Sequence, residues 1–199
     1  MEVRAVDSLY LPVAVVFMLA TLVFRLALQR ARTGDTGVRL KAARFTSTWW
    51  INMGLLATAV VNLSGLVALM LSRAAPLTVV PFSIRTGAFV LAIAGSAAVL
   101  FAQLTMGASW RIGVDESERT ALIAHGPYRV VRNPIYSAIA VALIGLTLLA
   151  PHATTLTGLA MYAVFISLLV RRVEEPYLLR VHGDAYRAYA ATVGRFLPR

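Results

Sequence analysis

The sequence predicts an all-α fold: a polytopic transmembrane helical bundle of five membrane helices, the last two a short hairpin, plus a cytoplasmic C-terminal amphipathic helix. Three observations carry this. The chain of 199 residues is 59% hydrophobic and only 14% charged, too apolar for a protein whose whole surface faces water. Its apolar residues gather into five runs, and its basic residues gather between alternate runs. No repeat or low-complexity linker interrupts the chain. A single domain over residues 1–199 is expected, with three N-terminal membrane helices in 1–106 and the polar groups concentrated in 107–199.

A membrane span needs about 20 residues at 1.5 Å rise each. Leu9–Leu28, Trp49–Leu71 and Thr86–Met106 meet that length. The first run does not read as a cleavable leader. Glu2 and Asp7 offset Arg4, and Arg25 and Arg30 follow directly, which is the pattern of a stop-transfer helix. Ile135–Ala150 and Thr154–Val170 are shorter and meet around Pro151, so a tight hairpin is expected, tilted or not fully crossing. In the tail, Tyr186 and Tyr189 fall three apart beside arginines, which suits an amphipathic helix on the membrane surface or a lid over a pocket.

Charge sets the expected orientation. Nineteen basic residues, all arginine except Lys41, face nine acids, for a formal charge of +10. Arg30, Arg32, Arg39, Lys41 and Arg44 follow the first run, and Arg111, Arg119, Arg129 and Arg132 follow the third. Arg171, Arg172, Arg180, Arg187, Arg195 and Arg199 follow the fifth, and only Arg4, Arg73 and Arg85 fall on the other side. The asymmetry predicts an integral membrane protein, expected in the plasma (inner) membrane, with its N-terminus outside and its C-terminus cytoplasmic. Basic residues interleaved with apolar runs match anionic headgroups rather than nucleic acid, which is not an expected partner. Trp49, Trp50, Trp110 and Tyr136 are expected at interfaces. Without cysteine, disulfides, Cys-ligated zinc and thiol catalysis are excluded, and no metal site is expected.

The orientation puts two polar segments on one face. The first runs from His125 through Gly126, Pro127, Tyr128, Arg129, Arg132, Asn133 and Pro134 to Tyr136. Pro134 suits a first helical turn and Asn133 its N-cap, leaving amide donors aimed at the cytoplasm as a seat for a carboxylate or phosphate. A plainer account is a simple helix start, with Arg132 snorkelling to headgroups. The second segment is Arg171–Arg172–Val173–Glu174–Glu175–Pro176–Tyr177. Adjacent carboxylates at the end of a membrane helix are functional suspects, although pairing with Arg171 or Arg172 would also account for them. They point about 100° apart, so one can face a pocket while the other pairs. Pro176 is expected to kink or end the helix. Asn52, Asn62 and Gln103 are expected to bond between helices, and Gly54, Gly65, Gly87 and Gly95 to pack helices within or between chains. The oligomeric state is open.

Together and in order, these segments resemble the isoprenylcysteine carboxyl methyltransferases and related phospholipid-type membrane methyltransferases. That family carries Gly-Pro-Tyr, then Arg-His-Pro-x-Tyr, a hydrophobic hairpin, Glu-Glu, Gly-x-x-Tyr-x-x-Tyr and a terminal Pro. Here these are Gly126–Pro127–Tyr128, Arg132–Asn133–Pro134–Ile135–Tyr136, Glu174–Glu175, Gly183 with Tyr186 and Tyr189, and Pro198. The likeness spans about Leu104 to Arg199.

The resemblance implies S-adenosylmethionine bound at the cytoplasmic face between the hairpin ends and the tail. It also implies membrane lipids as partners and a lipophilic small-molecule or lipidated acceptor. Carried over by position, His125, Gly126, Pro127, Tyr128, Arg132, Asn133, Pro134 and Tyr136 would form the cofactor site. Glu174 or Glu175 would face the cofactor's ammonium or ribose hydroxyls. The catalytic set expected for such a reaction is Glu174 with Arg129, Arg171 and Arg172, the arginines being cations available to hold an anionic acceptor. Asn133 stands where the family usually has His. It hydrogen-bonds but does not titrate near neutral pH, so no acid–base role is implied there. Methyl transfer from a sulfonium needs alignment and exclusion of water rather than a protein nucleophile. Two other classes fit the same topology, an NADPH-dependent membrane reductase and a non-catalytic scaffold or small transporter. Helix middles nearly free of charge speak against transport.

Overall fold

The computed structural model describes residues 2–39, 43–71, 76–113 and 121–199. Lys41, Arg73 and Arg119 of the charge pattern lie outside the described residues. In a bilayer the backbone has no water to bond, so apolar runs of this length form helices. Five do: α1 (Glu2–Thr33), α2 (Ser47–Met70), α3 (Phe82–Met106), α4 (Pro134–Leu149) and α5 (Ala153–Leu169). Among the described residues there is no strand, only isolated bridges pairing Val38 with Ile112 and Val131 with Gly194. The fold is all-helical. Leu9–Thr33, Ser47–Met70, Phe82–Ser109 and Ala153–His182 are long and apolar enough to cross a membrane, whereas α4 has 16 residues.

The fifth run departs from expectation. It does not stop near Val170, and Pro176 does not end it. A π-helical turn, Val170–Glu174, leads straight into α6 (Glu175–His182). The Glu175 amide reaches back to the Val170 carbonyl, so the turn is already widened where the Pro176 ring would otherwise strike the preceding coil. The chain breaks instead at Gly183, whose φ of +54° suits glycine, and α7 (Asp184–Thr192) follows. The tail is thus two short helices where one was expected.

Packing places α3 along α4, α2 along α5, and α1 against α3. Where α3 meets α4, two glycines let the backbones touch. A Cβ on Gly145 would lie 2.5 Å from the Ala92 amide nitrogen, and one on Gly95 would lie 2.5 Å from that of Ala142. Gly54 and Gly65 likewise sit against Phe165 and Thr154 of α5, whereas Gly87 meets nothing. Gly145→Ala is therefore expected to wedge α3 from α4 and destabilise the fold by about 1–3 kcal/mol. A lowered thermal midpoint in detergent, with Gly87→Ala unchanged, is the expected result; an unchanged Gly145→Ala would contradict the packing. Outward residues such as Val23, Leu56, Val90 and Val164 are exposed and apolar, as lipid contact requires.

Because successive runs alternate in direction, the C-terminal ends of α1 and α3 meet the N-terminal end of α4 and the π-turn after α5. The polar groups collect there.

Candidate functional site

One wall comes from α1 and the segment after α3. Arg25 is 1% exposed, although a charge at this depth would normally seek water. Its Nη2 donates to the Gly107 carbonyl at 2.7 Å and to Gln29 Oε1 at 2.9 Å, and its guanidinium lies 4.5 Å from the centre of the Trp110 ring. Gln29 Nε2 donates to the Ala108 carbonyl at 3.3 Å. Both side chains thus bond carbonyls just past the C-terminus of α3, where acceptors lack helical partners. Trp110, expected at the membrane interface, is buried within the protein beneath Arg25. Behind it, the Ile112 amide bonds the Gly37 carbonyl at 2.8 Å and the Arg39 amide bonds that of Ile112 at 2.7 Å. Asp35 stiffens this loop by accepting from the Gly37 amide and pairing with Arg39. Arg39 beside it holds the Asp35 carboxyl down at about 2.

The opposite wall is the entry to α4, strapped by the C-terminal tail. The Arg132 amide donates to the Gly194 carbonyl at 2.8 Å and the Asn133 amide to that of Arg195 at 3.1 Å. Asn133 sits at the N-cap position of α4, as expected, but its side chain makes no cap; its Nδ2 donates to the Arg195 carbonyl at 3.0 Å. Ser137 Oγ donates to the Phe196 carbonyl at 2.7 Å, and the Tyr189 hydroxyl donates to the Tyr128 carbonyl at 2.5 Å. The amides of Arg132 and Asn133 are therefore occupied by the tail rather than free for an anion.

The two glutamates divide their tasks. Glu175 is gripped by Arg195, whose Nε and Nη2 reach its two oxygens at 2.8 Å each, and by Arg132 Nη2 at 3.1 Å. Its described partners are thus Arg132 and Arg195, not Arg171 or Arg172. Glu174 turns the other way and accepts a hydrogen bond from the Tyr136 hydroxyl. The π-turn sets this orientation by adding a residue just before the pair. Tyr162 supports the same spot, its hydroxyl donating to the Tyr136 carbonyl at 2.9 Å.

Between the walls lies a cavity of about 340 Å³. Of the residues singled out from sequence, Tyr128, Arg132, Asn133, Pro134, Tyr136 and Glu174 line it. Glu175 borders a shallower outer concavity with Arg171, and Arg132 reaches both. His125, Gly126, Arg129, Arg171 and Arg172 are exposed and, with Pro127, stand outside the cavity lining. Tyr177 of the second polar segment and Tyr186 and Tyr189 of the tail line it too, whereas Leu22, Gln103 and Trp110 are lining residues not singled out for the site. Burial pushes the phenols of Tyr186 and Tyr189 up to about 12, so both remain neutral donors at physiological pH.

The Nε of Arg132 is buried and has no hydrogen-bond partner among the described residues. A buried donor without an acceptor is destabilising by about 1–3 kcal/mol, which an anionic ligand group would offset. The cavity therefore offers a guanidinium, a carboxylate, neutral hydroxyls and apolar walls, a set suited to a zwitterionic ligand with an apolar neighbour.

No curated protein matches the chain. A family profile described as "Phospholipid methyltransferase" matches residues 83–185, more than half of the chain. The match runs from the start of α3 to the start of α7 and takes in Gly126–Tyr128, Arg132–Tyr136 and the glutamate pair. The chain belongs to the phospholipid methyltransferase family.

Proposed function

We propose that this protein is a membrane methyltransferase that uses S-adenosylmethionine to methylate a lipophilic or small hydrophobic acceptor at the cytoplasmic membrane face. The observation that carries the reading is Arg132, whose buried Nε has no partner among the described residues, lining the same cavity as Glu174. The residues present fit the cofactor. Arg132 suits its carboxylate, and Glu174 suits its ammonium or ribose hydroxyls. Trp110, Tyr177, Tyr186 and Tyr189 suit a purine or a cationic sulfur. The family membership supports methyl transfer independently of this geometry.

When bound, the cofactor supplies an electrophilic methyl group on a sulfonium. The protein's own part is alignment and exclusion of water. Glu175, held by Arg195, keeps Arg132 at the cavity edge. Tyr136 holds one oxygen of Glu174 and leaves the other for a ligand donor. Leu22, Met106, Leu122, Ile135 and Ile139 supply apolar lining for an acceptor. Arg129, Arg171 and Arg172, being exposed outside the cavity, are assigned to the headgroup surface rather than to the reacting atoms. Incubating the protein with methyl-labelled cofactor and membrane extract, then mass spectrometry of lipids and small metabolites, is expected to find label in an apolar acceptor. No labelled product from any fraction would sink the activity.

The same reading places five membrane crossings, with α4 tilted or locally thinning the bilayer, since 16 residues span only about 24 Å. The N-terminus lies outside and the C-terminus in the cytoplasm. The absence of cysteine gives a clean background for testing this. Thr78→Cys is expected to react with an impermeant thiol reagent in intact cells, and Thr192→Cys only after lysis. The reverse pattern would invert the topology.

A further inference from the structure

Gln103 is the group in the cavity that the proposed chemistry leaves unused. It was expected to bond between helices, yet it is 5% exposed and its Oε1 is buried without a hydrogen-bond partner among the described residues. It lies in α3 and lines the cavity with Met106, three residues on and so on the same side of the helix, and with Trp110, which follows the short turn that ends α3. A membrane helix gains nothing from a buried amide oxygen that bonds no neighbour. Substitution by an apolar residue would remove the unsatisfied group. A side chain held in that state is best explained by what enters the cavity.

The chemistry of the lining narrows the ligand group. Charged ends already have counterparts in Arg132 and Glu174. Gln103 is neutral and offers an acceptor and a donor side by side, the pattern that matches a neutral donor–acceptor edge rather than a charged head. Adenine presents such an edge in its 6-amino group and adjacent ring nitrogen, and glutamine pairs with it in two parallel hydrogen bonds. Trp110 contributes a flat indole to the same wall, held from behind by the Arg25 guanidinium. Resting on the methyltransferase reading above, we propose that Gln103 reads the adenine edge of the cofactor in this cavity, beside Trp110. Gln103 is then a specificity residue for the base, and its amide is retained against the stability of the empty protein.

The test is a cycle between side chain and ligand, with binding and folding as readouts. S-adenosylhomocysteine and its analogue carrying hydrogen in place of the 6-amino group are titrated by calorimetry into wild type and Gln103→Leu in detergent. Wild type is expected to prefer the amino-bearing ligand by about tenfold, the size of one or two buried hydrogen bonds. Gln103→Leu is expected to lose that preference while its thermal midpoint, without ligand, stays level or rises by about 3 °C. Gln103→Met makes the same comparison should the branched side chain not fit. The inference is overturned if either variant keeps the wild-type preference. It is also overturned if the midpoint falls with the preference intact, which would make the amide structural. Wild type that binds neither ligand would bring down the methyltransferase reading as well, an outcome distinct from variants that bind both equally tightly.

Discussion

Glu174→Gln is expected to weaken S-adenosylhomocysteine binding about 30- to 100-fold while the protein stays folded. The substitution keeps the volume, and the amide oxygen can still accept from the Tyr136 hydroxyl, so the support at the π-turn survives. What would disappear is the charge proposed to face the cofactor's ammonium or ribose hydroxyls. Hydrogen bonds to ionised groups are worth about 1.5–3 kcal/mol, and each 1.4 kcal/mol is tenfold in affinity. Glu174→Ala should lose affinity to the same degree and thermal stability in addition, since it strands the Tyr136 hydroxyl. The difference between the two variants separates ligand contact from support. Equal affinity in wild type and Glu174→Gln would remove Glu174 from the site, though not from the fold.

The second large effect is expected where the tail grips Glu175. Arg195→Met removes the two-pronged contact and leaves Glu175 with Arg132 alone. The carboxylate is about one-sixth exposed, so the full penalty of breaking a buried ion pair is discounted to about 1–3 kcal/mol of stability. Affinity should fall too, because Arg195 no longer fixes the carboxylate that keeps Arg132 at the cavity edge. Pairing the change with Glu175→Gln relieves the uncompensated charge. The double variant is therefore expected to recover much of the lost thermal midpoint and little of the lost affinity. Recovery of both together would mean that the cluster only stabilises the tail. Recovery of neither would mean that the strap from Gly194 to Phe196, rather than the ions, holds α4 in place.

These effects also mark what local sequence can and cannot convey. Runs of apolar residues separated by arginines disclose an all-helical membrane protein, since hydropathy acts over tens of neighbouring residues. The ordered motifs from Gly126 to Tyr189 disclose the family. Contacts made across the fold stayed hidden. Arg195 is one arginine among several in a basic tail, and nothing near it announces that Glu175, twenty residues earlier, is its partner. Arg25 reads as part of the stop-transfer charge that closes the first apolar run, and Trp110 reads as an interface anchor. Only their mutual contact buries both. Pro176 reads as a helix kink or end because the rule assumes an α-turn before it, and the π-turn removes that assumption. Asn133 reads as a cap until the tail takes its side chain. Gln103 reads as inter-helix glue because a polar residue in an apolar run normally finds a neighbour.

The central claim is that the cavity between Arg132, Glu174 and Trp110 is a site for S-adenosylmethionine. Calorimetric titration of the purified full chain in detergent with S-adenosylhomocysteine, with NADPH in parallel, tests it most directly. Saturable heat is expected for the nucleoside, with affinity reduced at least tenfold by Arg132→Met, and none for NADPH. No heat with S-adenosylhomocysteine or S-adenosylmethionine, or thermal stabilisation by NADPH alone, would contradict it.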